Sequence, residues 1–527
     1  MFERGRPMSY RGEQKIKGKT YVYEAVATWD AQNHRSKQKR TYIGTKDPDT
    51  GELIPNAQYY ALYGGAPEPA NRSGNAKAVR SVDFGNIYFL HTIAENTGLQ
   101  EILRDVFPED WQEILACAWY SLCEQKALYL CEQWRETAAI DQHLSLSSPR
   151  ISELLQSLDE QKRFSFYRKW ASLRMEKEYL ALDISSISSY SELIDYVEYG
   201  FNRDKENLPQ INLAMLFGEQ SRLPVFSRVY PGSIKDVSTL VGMFDFMKEL
   251  HITGMRYVMD KGFYSEKGLE PLLEKRVKFT VGVPFSTAFA KEAVKRAMSS
   301  MANPANAIEV NGQLFYCQTT KMLLHNRRVY VHVYFDETRH VTERTVFMHK
   351  LLKTEAGLQD GTVKQTDPFA AKYFTTRHSK KGLLIRRNEQ AIQEANAFNG
   401  YFVLLSNDSK DARYLLDIYR TKDVVEKSFN NLKNDLDLQR LHVHSDAAME
   451  GRIFIGFLAL IFTSYIRNVM REKDLYRLFT FSSLIGELKK QKCIRFSNGN
   501  EQLTELTAKQ KAIFKAFHFD DPSFFSI

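Results

Sequence analysis

Tyr179-Leu-Ala-Leu-Asp183-Ile-Ser-Ser186 is an apolar run closed by a carboxylate, and it marks a change of texture in the chain. The residues before it read as helical. Those after it alternate strand with helix. Strand-like runs follow at Ile211–Phe217, Val225–Tyr230, Tyr257–Asp260 and Phe279–Val283, with helical runs at Val237–Leu250 and Ser265–Lys275. Three strands, a helix, a strand, a helix and a strand predict an α/β layer architecture, a mixed sheet flanked by helices. Tyr-Val-Met ends in Asp260 just as Tyr-Leu-Ala-Leu ends in Asp183. Ligands of open α/β sheets bind at the carboxyl ends of strands, so two carboxylates there form a candidate site. An Asp after a strand is more often a turn former or a helix cap, so neither residue decides the matter alone.

Outward from this core, Asp411–Leu436 reads as one long helix that contains Tyr419-Arg-Thr-Lys422-Asp-Val-Val-Glu426 and reaches Lys433. At 100° per residue, Tyr419, Lys422, Glu426 and Lys433 share one stripe. A carboxylate between cations on a helix is usually a solvated face. Here it joins two other acids in the right order, and three carboxylates can hold two divalent ions for phosphodiester displacement. Mg²⁺ suits such a site because it takes a few carboxylates, water and phosphate oxygens.

The rest of the chain bounds the reading. Its 527 residues are too many for one ordinary domain, and 43% hydrophobic content supports a sizeable core. Net charge is +8, which permits nucleic-acid binding without demonstrating it. Residues 1–40 hold ten Lys or Arg against four acids. Alternation over Tyr21–Thr28, a turn at Asp30–Asn33 and a basic strand at Ser36–Ile43 predict a small basic sheet. Its Lys37, Lys39 and Arg40 are candidates for DNA phosphate contact.

Residues 46–82 read as a linker rich in Pro, Gly and Asn, and 83–178 as a helical domain with a helix boundary at Phe107-Pro108. The core divides into 179–284 and 401–445, separated by residues 285–400. A helical region occupies 446–527. The apolar stretch Ile453–Ile466 is too short to span a bilayer and predicts a buried helix, so no membrane partner is expected. Five cysteines without CxxC spacing argue against a disulfide framework or zinc site, and fit a reducing cytoplasm. His442 and His444 lack a third nitrogen or sulfur ligand nearby, so a structural or phosphate-contact role fits them better than a metal role. The motifs of P-loop, Rossmann and zincin enzymes are absent.

Tyr419, Lys422, Glu426 and Lys433 resemble the YREK signature of DDE insertion-sequence transposases: the spacing matches at every step and three of four letters match. Asp260-Lys-Gly-Phe-Tyr-Ser resembles that family's second-aspartate motif and Leu182-Asp183-Ile-Ser its first. His444 and Gly456-Phe-Leu-Ala-Leu also resemble downstream features of the family. The resemblance implies an RNase H-like core with a β-rich insertion at 285–400. It implies Asp183, Asp260 and Glu426 as catalytic ligands of two Mg²⁺ ions, replaceable by Mn²⁺. Tyr419, Lys422 and Lys433 would hold DNA near the cleaved end. The implied partners are double-stranded DNA, both the element's terminal inverted repeats and a target, and a second copy of the chain when two ends are paired. The implied place is the bacterial cytoplasm, at the nucleoid. Lys422 departs from the family's usual Arg, keeping the charge but losing the planar fork. Two other readings stand beside this one: a noncatalytic DNA-binding descendant, and an RNase H-like nuclease without strand transfer.

Overall fold

The computed structural model describes residues 9–16, 19–30, 35–48, 50–64, 78–173, 179–202, 206–234, 242–243, 246–247, 256–379, 382–434, 436, 438 and 440–523. The chain forms two compact units, one of residues 1–78 with 496–498 and one of residues 79–495 with 499–527.

In the first unit, β1 (Ser9–Ile16), β2 (Lys19–Asp30), β3 (Arg35–Lys46) and β4 (Leu53–Pro55) form an antiparallel sheet in that order. A bulge leaves Ile43 unpaired between Val22↔Gly44 and Tyr23↔Tyr42, and Ile43 is buried. The expected turn at 30–33 lies largely outside the described residues. The expected linker is shorter than 46–82, because it holds β4 and α1 (Ala57–Tyr63). Asn56 starts that helix by accepting the Gln58 and Tyr59 N–H groups. Residues 65–77 of the linker are outside the described residues.

β5 (Ala78–Asp83) leads into the second unit, and a helical region follows: α2 (Gly85–Asn96), α3 (Leu99–Val106), α4 (Trp111–Glu124), α5 (Cys131–Thr137), α6 (Ser148–Ser157) and α7 (Glu160–Leu173). The boundary expected at Phe107-Pro108 falls between α3 and α4. Among the described residues, nine strands then make one mixed sheet. They are β6 (Tyr179–Ser188), β7 (Gln210–Gly218), β8 (Pro224–Pro231), β9 (Arg256–Met259), β10 (Lys278–Val283), β11 (Ala307–Val310), β12 (Gln313–Leu324), β13 (Arg327–Phe335) and β16 (Tyr401–Ser406). Their spatial order is β11-β12-β13-β16-β10-β9-β6-β7-β8. β8, β7 and β6 pair antiparallel, whereas β9 runs parallel to both β6 and β10. Every residue of β7 is buried, which accounts for its unbroken apolar texture. α8 (Glu266–Glu274) connects β9 to β10 and is capped by Ser265. The helix expected at Val237–Leu250 lies largely outside the described residues.

Residues 285–400 differ from the β-rich expectation. β11–β13 extend the main sheet by pairing with β16. The remainder holds α9 (Ala288–Met298), α10 (Glu337–Asp360), α11 (Pro368–Tyr373), the hairpin β14 (Phe374–Ser379) and β15 (Gly382–Arg387), and α12 (Glu389–Asn396). The sequence is helix-like over Thr342–Leu352, and α10 runs well beyond that stretch at both ends. Few of its residues are buried (Leu351, Thr354, Gly357 and Leu358), so periodicity underestimates it.

Two helices follow, α13 (Ala412–Thr421) and α14 (Asp423–Asn434), where one was expected. α15 (Asp446–Glu472) starts at the Ser445 cap and packs on α4 and α6. By length and composition it could cross a membrane, yet 83% of its most apolar window is buried inside the protein. The end of the chain is not all helix. β17 (Lys492–Phe496) and β18 (Glu501–Leu503) pair and join β5, beside α16 (Phe481–Leu488) and α17 (Ala508–Ala516).

Candidate active site

β6 and β9 are parallel neighbours in the register Leu182↔Met259. Asp183 and Asp260 are the next residues on each, so the register brings their backbones side by side, neighbouring strands lying about 4.8 Å apart. Asp183 does not end its strand as the sequence suggests. β6 continues to Ser188 because β7 goes on pairing with it, Asp183 opposite Met215. What ends there is the ladder with β9. Asp183 is partly buried, and its Oδ1 accepts the Ile184 N–H at 2.8 Å.

Asp260 keeps extended backbone (φ −74°, ψ 168°) and opens the short turn Lys261–Phe263. Its Oδ1 accepts a hydrogen bond from Tyr419 Oη at 3.1 Å and lies 3.3 Å from Lys422 Nζ. Burial by itself would raise the Asp260 pKa. The Lys422 ammonium, the Lys261 N–H and the Tyr419 hydroxyl together outweigh it and hold the carboxyl below its usual range.

Tyr419 and Lys422 reach Asp260 because α13 lies over β9, with Ile418 packed on Val258. The helix expected to run unbroken through Asp411–Leu436 is interrupted at Lys422, which keeps right-handed dihedrals (φ −57°, ψ −22°). The stripe therefore divides. Tyr419 and Lys422 meet Asp260, whereas α14 rests on β6 and β7 and buries Phe429 and Leu432. Lys433 is buried at 8% exposure, and its charge helps hold the Glu206 pKa low after the hydrogen bonds from Arg440 and Ser188. Glu426 belongs to α14 by its backbone, which places it on the helix lying across the Asp183 strand. Its side chain is outside the described residues.

Asp260, Tyr419 and Lys422 border a cavity of about 630 Å³, with Lys261, Gly282 and Arg339 also on its wall. Gly282 and Arg339 are additions to the site that the sequence reading missed. A methyl group at Gly282 would sit 2.5 Å from Tyr419 Oη, so the missing side chain is what admits the tyrosine. A glycine inside the strand Lys-Phe-Thr-Val-Gly-Val was the available signal, since strand glycines mark close approaches. Arg339 had no comparable signal, because it arrives from the distant α10.

Among the described residues no three His, Cys, Asp or Glu side chains cluster as metal ligands. Asp183 and Asp260 nevertheless bring two carboxylates to the end of the β6–β9 ladder, the hard oxygen donors that Mg²⁺ prefers. That donor chemistry fits a divalent ion. His442 and His444 are exposed. In the first unit, Lys37, Lys39 and Arg40 are exposed on β3. Strand alternation puts Lys37 and Lys39 on one face and Arg40 on the other, where its guanidinium covers the Tyr23 ring at 4.7 Å.

A family model described as a transposase DDE domain matches residues 174–462. No curated protein matches the chain. Among solved structures, the chain is similar to one described as the cryo-EM structure of the piggyBac transposase synaptic complex with hairpin DNA. The identity is 12% and the TM-score 0.33, over 77% of this chain and 70% of that one.

Proposed function

The chain belongs to the transposase DDE domain family, and on that premise we propose that it cuts the ends of an insertion sequence and joins them to target DNA. Asp183, Asp260 and Glu426 are the catalytic acids in this reading, on an RNase H-like core. The observation that carries it is the register of β6 and β9, which sets Asp183 beside Asp260. Two further features support it: the α14 backbone that bears Glu426 lies on β6, and the strand order β8-β7-β6-β9-β10 turns from antiparallel to parallel at the Asp183 strand.

The three acids would hold two Mg²⁺ ions, with Mn²⁺ able to replace them. When bound, these ions supply Lewis-acid stabilisation of charge on the phosphate and lower the pKa of attacking water. The chain's own groups do the rest. The acids gather negative charge that disfavours bare DNA. Tyr419 and Lys422 fix the orientation of Asp260, and Lys422, at the cavity wall, offers its ammonium to a phosphate oxygen. In the first step water adds to phosphorus and the bond to O3′ breaks, leaving a free 3′-OH. In the second that hydroxyl adds to a target phosphorus and displaces the target's own O3′. Pairing two ends calls for two copies of the chain, and Lys37, Lys39 and Arg40 of the first unit would grip phosphates of the terminal repeats.

The test uses the full chain, Mg²⁺ and a duplex bearing the inverted repeats that flank the coding region. Free 3′-OH ends and joined strand-transfer products are expected, and both should vanish in Asp260→Ala while end binding persists. Cleavage by Asp260→Ala would overturn the residue assignment. Nicked ends without joined molecules would point to a nuclease instead.

A further inference from the structure

A second cavity, of about 190 Å³, lies where α14, α15 and the β7–β8 turn meet. It is walled by Arg222, Lys427, Arg467, Arg471, Ser464 and Asn468, among other polar residues, and among the described residues no carboxylate borders it. None of its wall was singled out by the sequence, and none belongs to the Asp260 cavity.

Arg222, Lys427 and Arg471 bring three cations to one small space, where they repel one another unless an anion joins them. Among the described residues Arg222, Lys427 and Arg471 have no carboxylate within ion-pair distance. Arg471 lies in the last turn of α15, where the helix dipole would favour a cation, but the dipole does not account for Arg222 or Lys427. Asn468 donates to the backbone oxygens of Ser221 and Arg222 at 3.1 and 3.3 Å, which holds the turn with Arg222 at φ 51°, a conformation unusual for a residue with a side chain.

Ser464 is the independent observation. The residue is 5% exposed, it borders the cavity, and its Oγ has no hydrogen-bond partner. A helical serine ordinarily turns its hydroxyl back to the carbonyl one turn earlier, as neighbouring Thr463 does to Ala459. The hydroxyl is left without that bond at a residue that borders the cavity, so a donor stands unused at its wall. The volume equals roughly six waters, room for one phosphate group and part of its hydration.

We propose that this cavity binds a phosphate group, and that the phosphate is a backbone phosphodiester of DNA. The second half rests on the reading of the chain as a DNA transposase; the first does not. Lys427 follows Glu426 directly, so a strand leaving the acidic residues along α14 would meet this site next.

The test has two arms, both on the full chain. In the first, duplex binding is measured against salt for the native protein and Lys427→Gln/Arg471→Gln, two exposed positions whose replacement should leave the melting temperature unchanged. The double variant is expected to bind several-fold more weakly and to lose about one unit of the slope of log K against log salt. In the second, millimolar inorganic phosphate is added in thermal unfolding. Phosphate should raise the native Tm, and Ser464→Ala, which removes a donor but no charge, should need about tenfold more phosphate for the same rise. Phosphate protection with an unchanged DNA slope would overturn the phosphodiester and leave free phosphate as the ligand. An unchanged slope and no protection would overturn the site. A native chain that binds no duplex at all would instead sink the transposase reading, and the phosphate arm would then decide the cavity alone.

Discussion

Tyr419 donates its hydroxyl to Asp260 Oδ1 at 3.1 Å, across 159 residues of sequence, through a gap kept open by the absence of a side chain at Gly282. The tyrosine of the helix is thus a positioning group for the strand carboxylate, and Lys422 shares that oxygen.

Gly282→Ala should push the Tyr419 hydroxyl away from Asp260. Cutting is expected to fall about 100-fold, the scale set by misplacing a reacting group by about 1 Å. Tyr419→Phe, which loses only the hydrogen bond, should fall about tenfold. Single-turnover cleavage with DNA affinity measured alongside checks both, and equal rates for Gly282→Ala and the native chain would contradict the contact.

Lys422→Met should move the acid limb of the pH–rate profile to higher pH. Burial raises the Asp260 pKa, and the Lys422 charge is foremost among the groups that reverse the shift. Asp260 is lowered in the folded state, so its stabilising contribution is present above the unfolded carboxyl's range and lost as pH falls through the folded value. Without Lys422 that loss begins sooner. Lys422→Arg should keep the native profile.

His332 provides a separate pH dependence. It is fully buried, Thr319 Oγ1 lies 2.8 Å from its Nδ1, and the Ser409 carbonyl lies 3.3 Å from its Nε2. The carbonyl can only accept, so Nε2 carries the proton and Nδ1 accepts from Thr319. Burial drops the pKa from 6.5 to about 4. Between those values the unfolded chain binds a proton that the native one refuses. Stability is therefore full above pH 6.5 and declines as pH falls toward 4, by about 3 kcal/mol. Denaturant titration across that range should show the decline, and His332→Gln should flatten it.

Deleting residues 1–45 should abolish preference for the terminal repeats. A gel-shift that found the preference unchanged would remove Lys37, Lys39 and Arg40 from end recognition.

Much of this protein was legible in its residues. The alternation of apolar runs with helical periods gave the α/β core, and Ser265 and Phe107-Pro108 marked real boundaries, because caps and proline act within a few residues of where they stand. Apolar pattern failed where elements bury little. α10 is mostly exposed and was underestimated, and β17 and β18 are short strands that hold only by pairing.

The residue types and their spacing by themselves marked Asp183, Asp260, Glu426, Tyr419 and Lys422 as candidates for one site. Tertiary structure alone decided the rest. Strand pairing set Leu182 opposite Met259 and so brought Asp183 and Asp260 abreast; the break at Lys422 sent Tyr419 and Lys422 to Asp260 and buried Lys433 near Glu206. Periodicity describes one helix or strand at a time, whereas register and helix interruption depend on what packs against it.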